Sequence, residues 1–214
     1  MPRILITDDH ALIRRGLKQI LLEGSERVGF GRLVVEEAEN AEEALQKIKE
    51  NWDVIVMDIT MPGRSGLDVL KDIKLARPQL PVLILSMHSE DQFAVRMLKA
   101  GAAGYITKES APQELVNAIK KVLSGGKYVS PSLAERLAYD LSHDTDKAPN
   151  ETLSDREFQV MSLIASGKTV SQIAEKLGLS VKTISTYRTR VLEKMGMKTN
   201  AALTHFAIKN RLVE

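Results

Sequence analysis

The chain has no cysteine among its 214 residues, which excludes disulfide bonds and thiolate metal sites. A cysteine-free chain suits a reducing cytoplasm, where disulfides rarely persist. It also lacks any stretch approaching the ~20 consecutive apolar residues that a membrane-spanning helix needs. The first apolar run, Ile4-Leu5-Ile6, is short and leads into Thr7-Asp8-Asp9, unlike a cleavable signal peptide. Internal repeats and low-complexity blocks are missing as well. These absences leave the expectation of a soluble, cytoplasmic protein with no membrane partner, long enough for two small domains with real cores.

The net charge of +2 hides an asymmetry. Residues 1–151 hold 20 Lys/Arg against 23 Asp/Glu, and residues 152–214 hold 10 against 5. A basic segment of that kind can meet a polyanion, although a short segment can also drift basic by chance. Charge alone does not decide the matter.

The first ~125 residues alternate short apolar runs with segments of helical period. Strands are expected at 3–9, 33–38, 53–58, 81–87 and 103–108, and helices at 11–23, 41–51, 65–76, 91–100 and 112–124. Strict β–α alternation argues for a parallel sheet with helices on both faces. Ser110 with Gln113 reads as a capping box for the last of these helices, and Gly125-Gly126 as its stop. Residues 126–151 read as a linker, with a short amphipathic helix over 133–141 and a polar stretch over 142–150. Residues 152–214 read as entirely helical. Ser154 with Glu157 opens a helix over 156–165, and Thr169 with Gln172 opens 170–177. Gly178 ends the second, Ser180 caps 181–195, and a last helix covers 201–209. Two short helices around a tight glycine turn outline a helix-turn-helix.

In an open parallel sheet, ligands sit beyond the carboxyl ends of the strands. Those ends carry Asp8 and Asp9, Asp58, Ser86 and Lys108. Any one such Asp more often caps a turn; the joint arrangement is what points to chemistry. Clustered carboxylates call for a cation, and a small all-oxygen site suits Mg²⁺. Lys108 can neutralise a phosphoryl group in flight, and Asp58, the central carboxylate, can accept it covalently.

The segments Ile6-Thr7-Asp8-Asp9-His10, Val56-Met57-Asp58-Ile59-Thr60-Met61-Pro62-Gly63, Leu85-Ser86 and Tyr105-Ile106-Thr107-Lys108 closely resemble a CheY-like receiver domain. That resemblance implies a flavodoxin-like α/β fold with a five-stranded parallel sheet. It implies phosphorylation of Asp58 by a sensor histidine kinase, and Mg²⁺ held by Asp9, Asp58 and the Thr60 carbonyl, with Asp8 behind them. Lys108 and Ser86 would contact the phosphoryl group, and Tyr105 would turn inward behind Ser86. Thr60 and His88 would line the path of attacking water, though a solvated loop histidine is the plainer reading of His88.

On the helix expected at 181–195, Ile184, Val191 and Met195 form an apolar stripe. Lys182, Ser185, Thr186 and Thr189 fall opposite, flanked by Arg188, Arg190 and Lys194. Hydroxyls rimmed by cations fit a major groove, although a charged helix face is usually just solvated. Leu153-Ser154-Asp155-Arg156-Glu157, the run from Gln172 to Leu177, and the run from Ser180 to Tyr187 closely resemble a LuxR-type (NarL/FixJ-like) helix-turn-helix. That resemblance implies binding to double-stranded DNA and a final helix that commonly mediates dimerisation; with the receiver before it, a homodimer on phosphorylation is expected. Val170-Ser171 and Tyr187 depart from the usual pattern near the DNA-facing turn, so no target sequence carries over.

The function expected is a transcription regulator switched by phosphorylation of Asp58, not an enzyme beyond slow loss of its own phosphoryl group. Two alternatives stand beside it. A phosphatase of the haloacid dehalogenase type also pairs Asp with Mg²⁺ and Lys, but needs a second Asp where this chain has Thr60. A regulator whose receiver only dimerises would usually lack one of the acids or the lysine, all present here.

Overall fold

The computed structural model describes residues 1–27, 29, 31–62, 64–87, 90–142, 152–210 and 212–213. Gly63 of the receiver-like motif, His88 and most of the polar stretch over 142–150 therefore lie outside the described residues. By internal contacts the chain divides into Met1–Glu135 and Arg136–Glu214.

The first unit runs β1 (Arg3–Thr7), α1 (Ala11–Arg27), β2 (Val34–Ala38), α2 (Ala41–Lys47), β3 (Val54–Asp58), α3 (Gly66–Ala76), β4 (Val82–Ser86), α4 (Glu90–Lys99), β5 (Gly104–Thr107) and α5 (Ala111–Leu123). The five strands are all parallel, in the order β2-β1-β3-β4-β5. Every residue of β3 and β4 is buried, as central strands covered on both faces must be. Alternation sends Ile4, Ile6, Val54, Val56, Leu83, Leu85 and Ile106 to one face, where they pack with Leu17 and Leu21 of α1 and Leu115 and Ile119 of α5. The chain leaves β1 toward β2 and then crosses back to β3. That reversal opens a crevice beyond the carboxyl ends of β1 and β3.

Several boundaries differ from the sequence reading, each for a physical reason. Helix α1 continues through Gly24 to Arg27 because that glycine is a contact and not a stop. A Cβ there would sit 2.4 Å from Val116 Cγ2 of α5. Helix α2 ends early, at Lys47. Its last carbonyls and those just beyond are taken by side chains: Trp52 Nε1 donates to Lys47 O at 2.7 Å, and Arg77 donates to Ile48 O and Glu50 O at 3.0 Å. Before α5 the expected capping box does not form. Ser110 is already in the helical region, its Oγ lies 3.1 Å from Glu114 Oε2, and its N–H donates to Thr107 Oγ1 at 3.1 Å.

Beyond α5 the segment expected to be a linker starts on the sheet. Tyr128 N–H donates to Ala103 O at 2.8 Å, and Tyr128 bridges Gly104. Helix α6 (Pro131–Ser142) follows. The division between the two units falls inside it.

The second unit holds α7 (Asp155–Ala165), α8 (Val170–Leu177), α9 (Val181–Lys194) and α10 (Asn200–Lys209). Both expected capping boxes form here, Ser154 with Glu157 and Thr169 with Gln172. Gly178 closes α8 at φ 63°, a conformation that costs a side-chain-bearing residue. Ser180 accepts from Thr183 N–H to start α9. Phe158, Met161, Ile173, Leu177, Ile184, Val191 and Leu203 are buried together as its core. Among the described residues no helix is long and apolar enough to cross a membrane.

Candidate functional site

The strand ends deliver the expected carboxylates to one place. Asp58 closes β3 and is 1% exposed. Its Oδ1 accepts the Thr60 N–H at 2.9 Å, and its Oδ2 accepts from Lys108 Nζ at 2.7 Å. Lys108 is placed by its own backbone, whose N–H donates to Ser86 O at 2.7 Å across β4 and β5. The same ammonium lies 2.6 Å from Asp8 Oδ2, and Asp8 is fully buried. Burial works against that charge, but Asp58 and Asp8 outweigh it and hold the Lys108 pKa above the ordinary lysine value.

Asp9 is the open member of the group. Its Oδ1 is buried without an aligned hydrogen-bond donor, and His10 Nδ1 lies 2.9 Å away. One ligand atom each from Asp8, Asp9, His10 and Asp58 fall within 4.8 Å of one another. Three carboxylates around an undersatisfied oxygen are a hard donor set of the kind that holds Mg²⁺. Ser86 and Tyr105 are fully buried at the end of β4 and in β5. Asp58 pairs in register with Leu85, and Tyr105 with Ile84. Thr60 meets Asp58 through its backbone N–H.

Two residues at this site were not singled out from the sequence. His10 entered only as part of a motif. Arg14 is 5% exposed and donates to the Asp8 carbonyl at 2.8 Å while reaching Glu37 at 3.2 Å and Glu39 at 2.8 Å. Nothing in local spacing marks it, because its partners lie on the next strand and loop.

In the second unit, Lys182, Ser185, Thr186, Thr189 and Arg190 are exposed along α9. Arg188 is half-buried, and its Nε donates to Asn200 Oδ1 at 2.7 Å. Lys194, expected on the flank of this face, is exposed and carries an ion pair. Its Nζ lies 2.6 Å from Glu157 Oε2, tying the end of α9 to the start of α7. Burial pushes the Glu157 carboxyl up, but Lys194 and the Ser154 backbone and hydroxyl outweigh that and hold its pKa below the ordinary range.

Residues 4–120 match the family described as response regulator receiver domain, and residues 151–207 match bacterial regulatory proteins of the luxR family. The chain belongs to the response-regulator family, as a receiver joined to a LuxR-type DNA-binding domain. The regulator is 36% identical to the response regulator UvrY of Escherichia coli (strain K12), over 99% of this chain and 96% of that one. It is 37% identical to the response regulator GacA of Pseudomonas protegens, over 100% of this chain and 99% of that one. RcsB from Salmonella enterica serovar Typhimurium, bound to promoter rprA in the presence of phosphomimetic BeF3-, matches with a TM-score of 0.64 at 27% identity, over 96% and 97% of the two chains. The family is one of transcription regulators rather than enzymes.

Proposed function

We propose that this regulator accepts a phosphoryl group on Asp58 from a sensor histidine kinase and, so modified, binds paired DNA half-sites as a homodimer in the cytoplasm. One observation carries the reading: Asp58 is buried at a strand end with Lys108 Nζ 2.7 Å from one oxygen and the Thr60 N–H 2.9 Å from the other, beside Asp8 and Asp9.

In the transfer, an Asp58 oxygen attacks phosphorus and forms a C–O–P linkage. The P–N bond to the kinase histidine breaks, and its electron pair stays on the imidazole. The Thr60 N–H and Lys108 fix which way the carboxylate faces. Lys108 then balances the added charge, and Ser86, at the end of the strand beside β3, offers a hydroxyl to a phosphoryl oxygen. Asp9, Asp58 and the Thr60 carbonyl, with Asp8, would hold Mg²⁺, which supplies further charge neutralisation when bound. Burial of Tyr105 beside Ser86's strand gives the phosphorylated state a side chain to hold inward. Slow hydrolysis would reset the protein.

Lys182, Ser185, Thr186, Arg188, Thr189, Arg190 and Lys194 form the DNA face of α9, Lys194 at its end also pairing with Glu157. Residues 1–125 act as the receiver, 152–214 as the DNA-binding domain, and 126–151 join them.

DNA binding by the native chain, with and without a small-molecule phosphodonor plus Mg²⁺, tests this against Asp58→Ala, using targets selected from random DNA. Phosphodonor should strengthen binding and dimerisation only where Asp58 is present. Equal binding throughout would leave a receiver that does not control DNA affinity.

A further inference from the structure

We propose that His10 is a metal ligand in the acidic pocket, giving it an affinity for divalent ions of the zinc class that the carboxylates alone do not confer. The inference rests on the reading that Asp8, Asp9 and Asp58 hold a divalent cation.

His10 follows Asp9 directly after β1. Its backbone N–H donates to Asp8 Oδ1 at 2.8 Å, which folds the residue back over the pocket. The ring Nδ1 then lies 2.9 Å from Asp9 Oδ1 and 3.3 Å from Asp8 Oδ1. Ligand atoms bound ~2.1 Å from one ion stand about 3.0 Å apart at right angles and about 3.4 Å apart at the tetrahedral angle. The His10 separations fit neighbouring ligands on one ion, and the hydrogen bond from Nδ1 to Asp8 Oδ1 holds the ring in place for it. Asp58 adds the fourth donor, with the whole set inside 4.8 Å.

The burial of these groups adds a direction of approach. Asp8 and Asp58 are at the floor, whereas the His10 side chain is 64% exposed. The imidazole stands at the mouth, where an ion enters. An exposed histidine that simply pairs with an acid needs one carboxylate. This ring nitrogen lies against two, both in the pocket.

Donor chemistry sets the consequence. Mg²⁺ favours oxygen and gains little from an imidazole, while zinc, cobalt and nickel bind nitrogen strongly. An ion of that class held through His10 would also engage Asp58, the group that must remain available as phosphoryl acceptor. The pocket would then be blocked by zinc in competition with Mg²⁺.

The test uses Mn²⁺ as probe, titrated into the full chain and followed by electron paramagnetic resonance, with electron spin echo reading any directly bonded nitrogen. The native protein should show one imidazole nitrogen coupled to bound Mn²⁺. His10→Ala should retain Mn²⁺ within about threefold yet lose that coupling, and Zn²⁺ should displace Mn²⁺ from it only at about tenfold higher concentration than from the native chain. A nitrogen coupling absent from the native complex, or still present in His10→Ala, overturns the assignment, as does equal displacement by Zn²⁺. A native chain that takes up no Mn²⁺ would overturn the carboxylate reading itself, a separate result.

Discussion

Lys108 Nζ stands 2.7 Å from Asp58 Oδ2, although 50 residues separate the two in sequence. The same ammonium lies 2.6 Å from Asp8 Oδ2. One buried cation thus balances two buried carboxylates and leaves Asp9 at the open side. Taking like charges out of water is costly, so this ammonium is what lets the pocket exist before a metal or phosphoryl group arrives.

Removing it should therefore expose the cost. Lys108→Met is expected to destabilise the first unit by about 3 kcal/mol, the range for a buried ion pair that loses one partner. Millimolar Mg²⁺ should restore more stability to this variant than to the native chain, because the added cation replaces the missing one. Urea unfolding with and without Mg²⁺ measures both effects. Equal Mg²⁺ stabilisation of variant and native protein would mean that the lysine and the metal do not serve the same carboxylates.

The pair that ties α7 to α9 gives a pH-dependent prediction. The Glu157 carboxyl is held below its ordinary value of 4.5, so its pairing stabilises the fold fully above that pH. The contribution disappears as pH falls through the lower, folded-state value. Lys194→Met should cost about 1–2 kcal/mol near neutrality, and the gap to the native chain should close below pH 4.5. Unfolding of the full chain, followed by amide signals from α7 and α9, reads this window. A gap that persists undiminished at acid pH would place the lysine's contribution elsewhere, for example in packing of its methylene stem.

Much of this architecture was legible in the sequence because the signals were local or periodic. The strands at 54–58 and 82–86 read as solid apolar runs because both faces are covered. The caps at Ser154 and Thr169 read correctly because their partners lie three residues away. The acidic pocket was legible because strand ends in a parallel sheet converge whatever the loops do. Long-range partners were not legible. The helix expected to end at residue 23 runs on through Gly24, which lies against Val116 of α5, and Lys47's carbonyl is shared by the Glu50 N–H of a tight turn and the Trp52 indole. Ser110 has the spacing of a capping box, but Thr107 takes the role of accepting an N–H at that helix entry. Lys194 looks like one more groove-facing cation until Glu157 of another helix is brought beside it.

That last contrast makes the DNA face separable by experiment. Arg190 and Lys194 are both exposed on α9, but the Lys194 ammonium is paired with Glu157. Arg190→Ala should weaken DNA binding for all sequences and reduce the slope of log K against log salt by about 0.9, the release of one phosphate-bound counterion. Lys194→Ala should lower stability and leave that slope unchanged. Ser185→Ala, which removes a hydroxyl and no charge, should alter sequence preference in selection from random DNA while leaving salt dependence alone. A fall in slope for Lys194→Ala would place that residue among the phosphate contacts.

Two glycines in the first unit test how closely packed the scaffold under the pocket is. A Cβ on Gly24 would meet Val116 Cγ2 of α5 at 2.4 Å, whereas a Cβ on Gly66 would meet Ile59 Cα at 2.4 Å. The first obstacle is a side chain that can be shortened; the second is backbone immediately after Asp58. Gly24→Ala should cost about 1–3 kcal/mol by overpacking, and Val116→Ala introduced with it should recover most of that loss. Gly66→Ala should cost at least as much and also weaken Mg²⁺ binding, because relief requires the segment after Asp58 to shift. No side-chain truncation at Ile59 can remove a clash with its Cα. Unfolding measurements on both single variants and on the Gly24 and Val116 double-mutant cycle give the comparison. If the double variant is no more stable than Gly24→Ala, the closeness of α1 to α5 is not what that glycine provides.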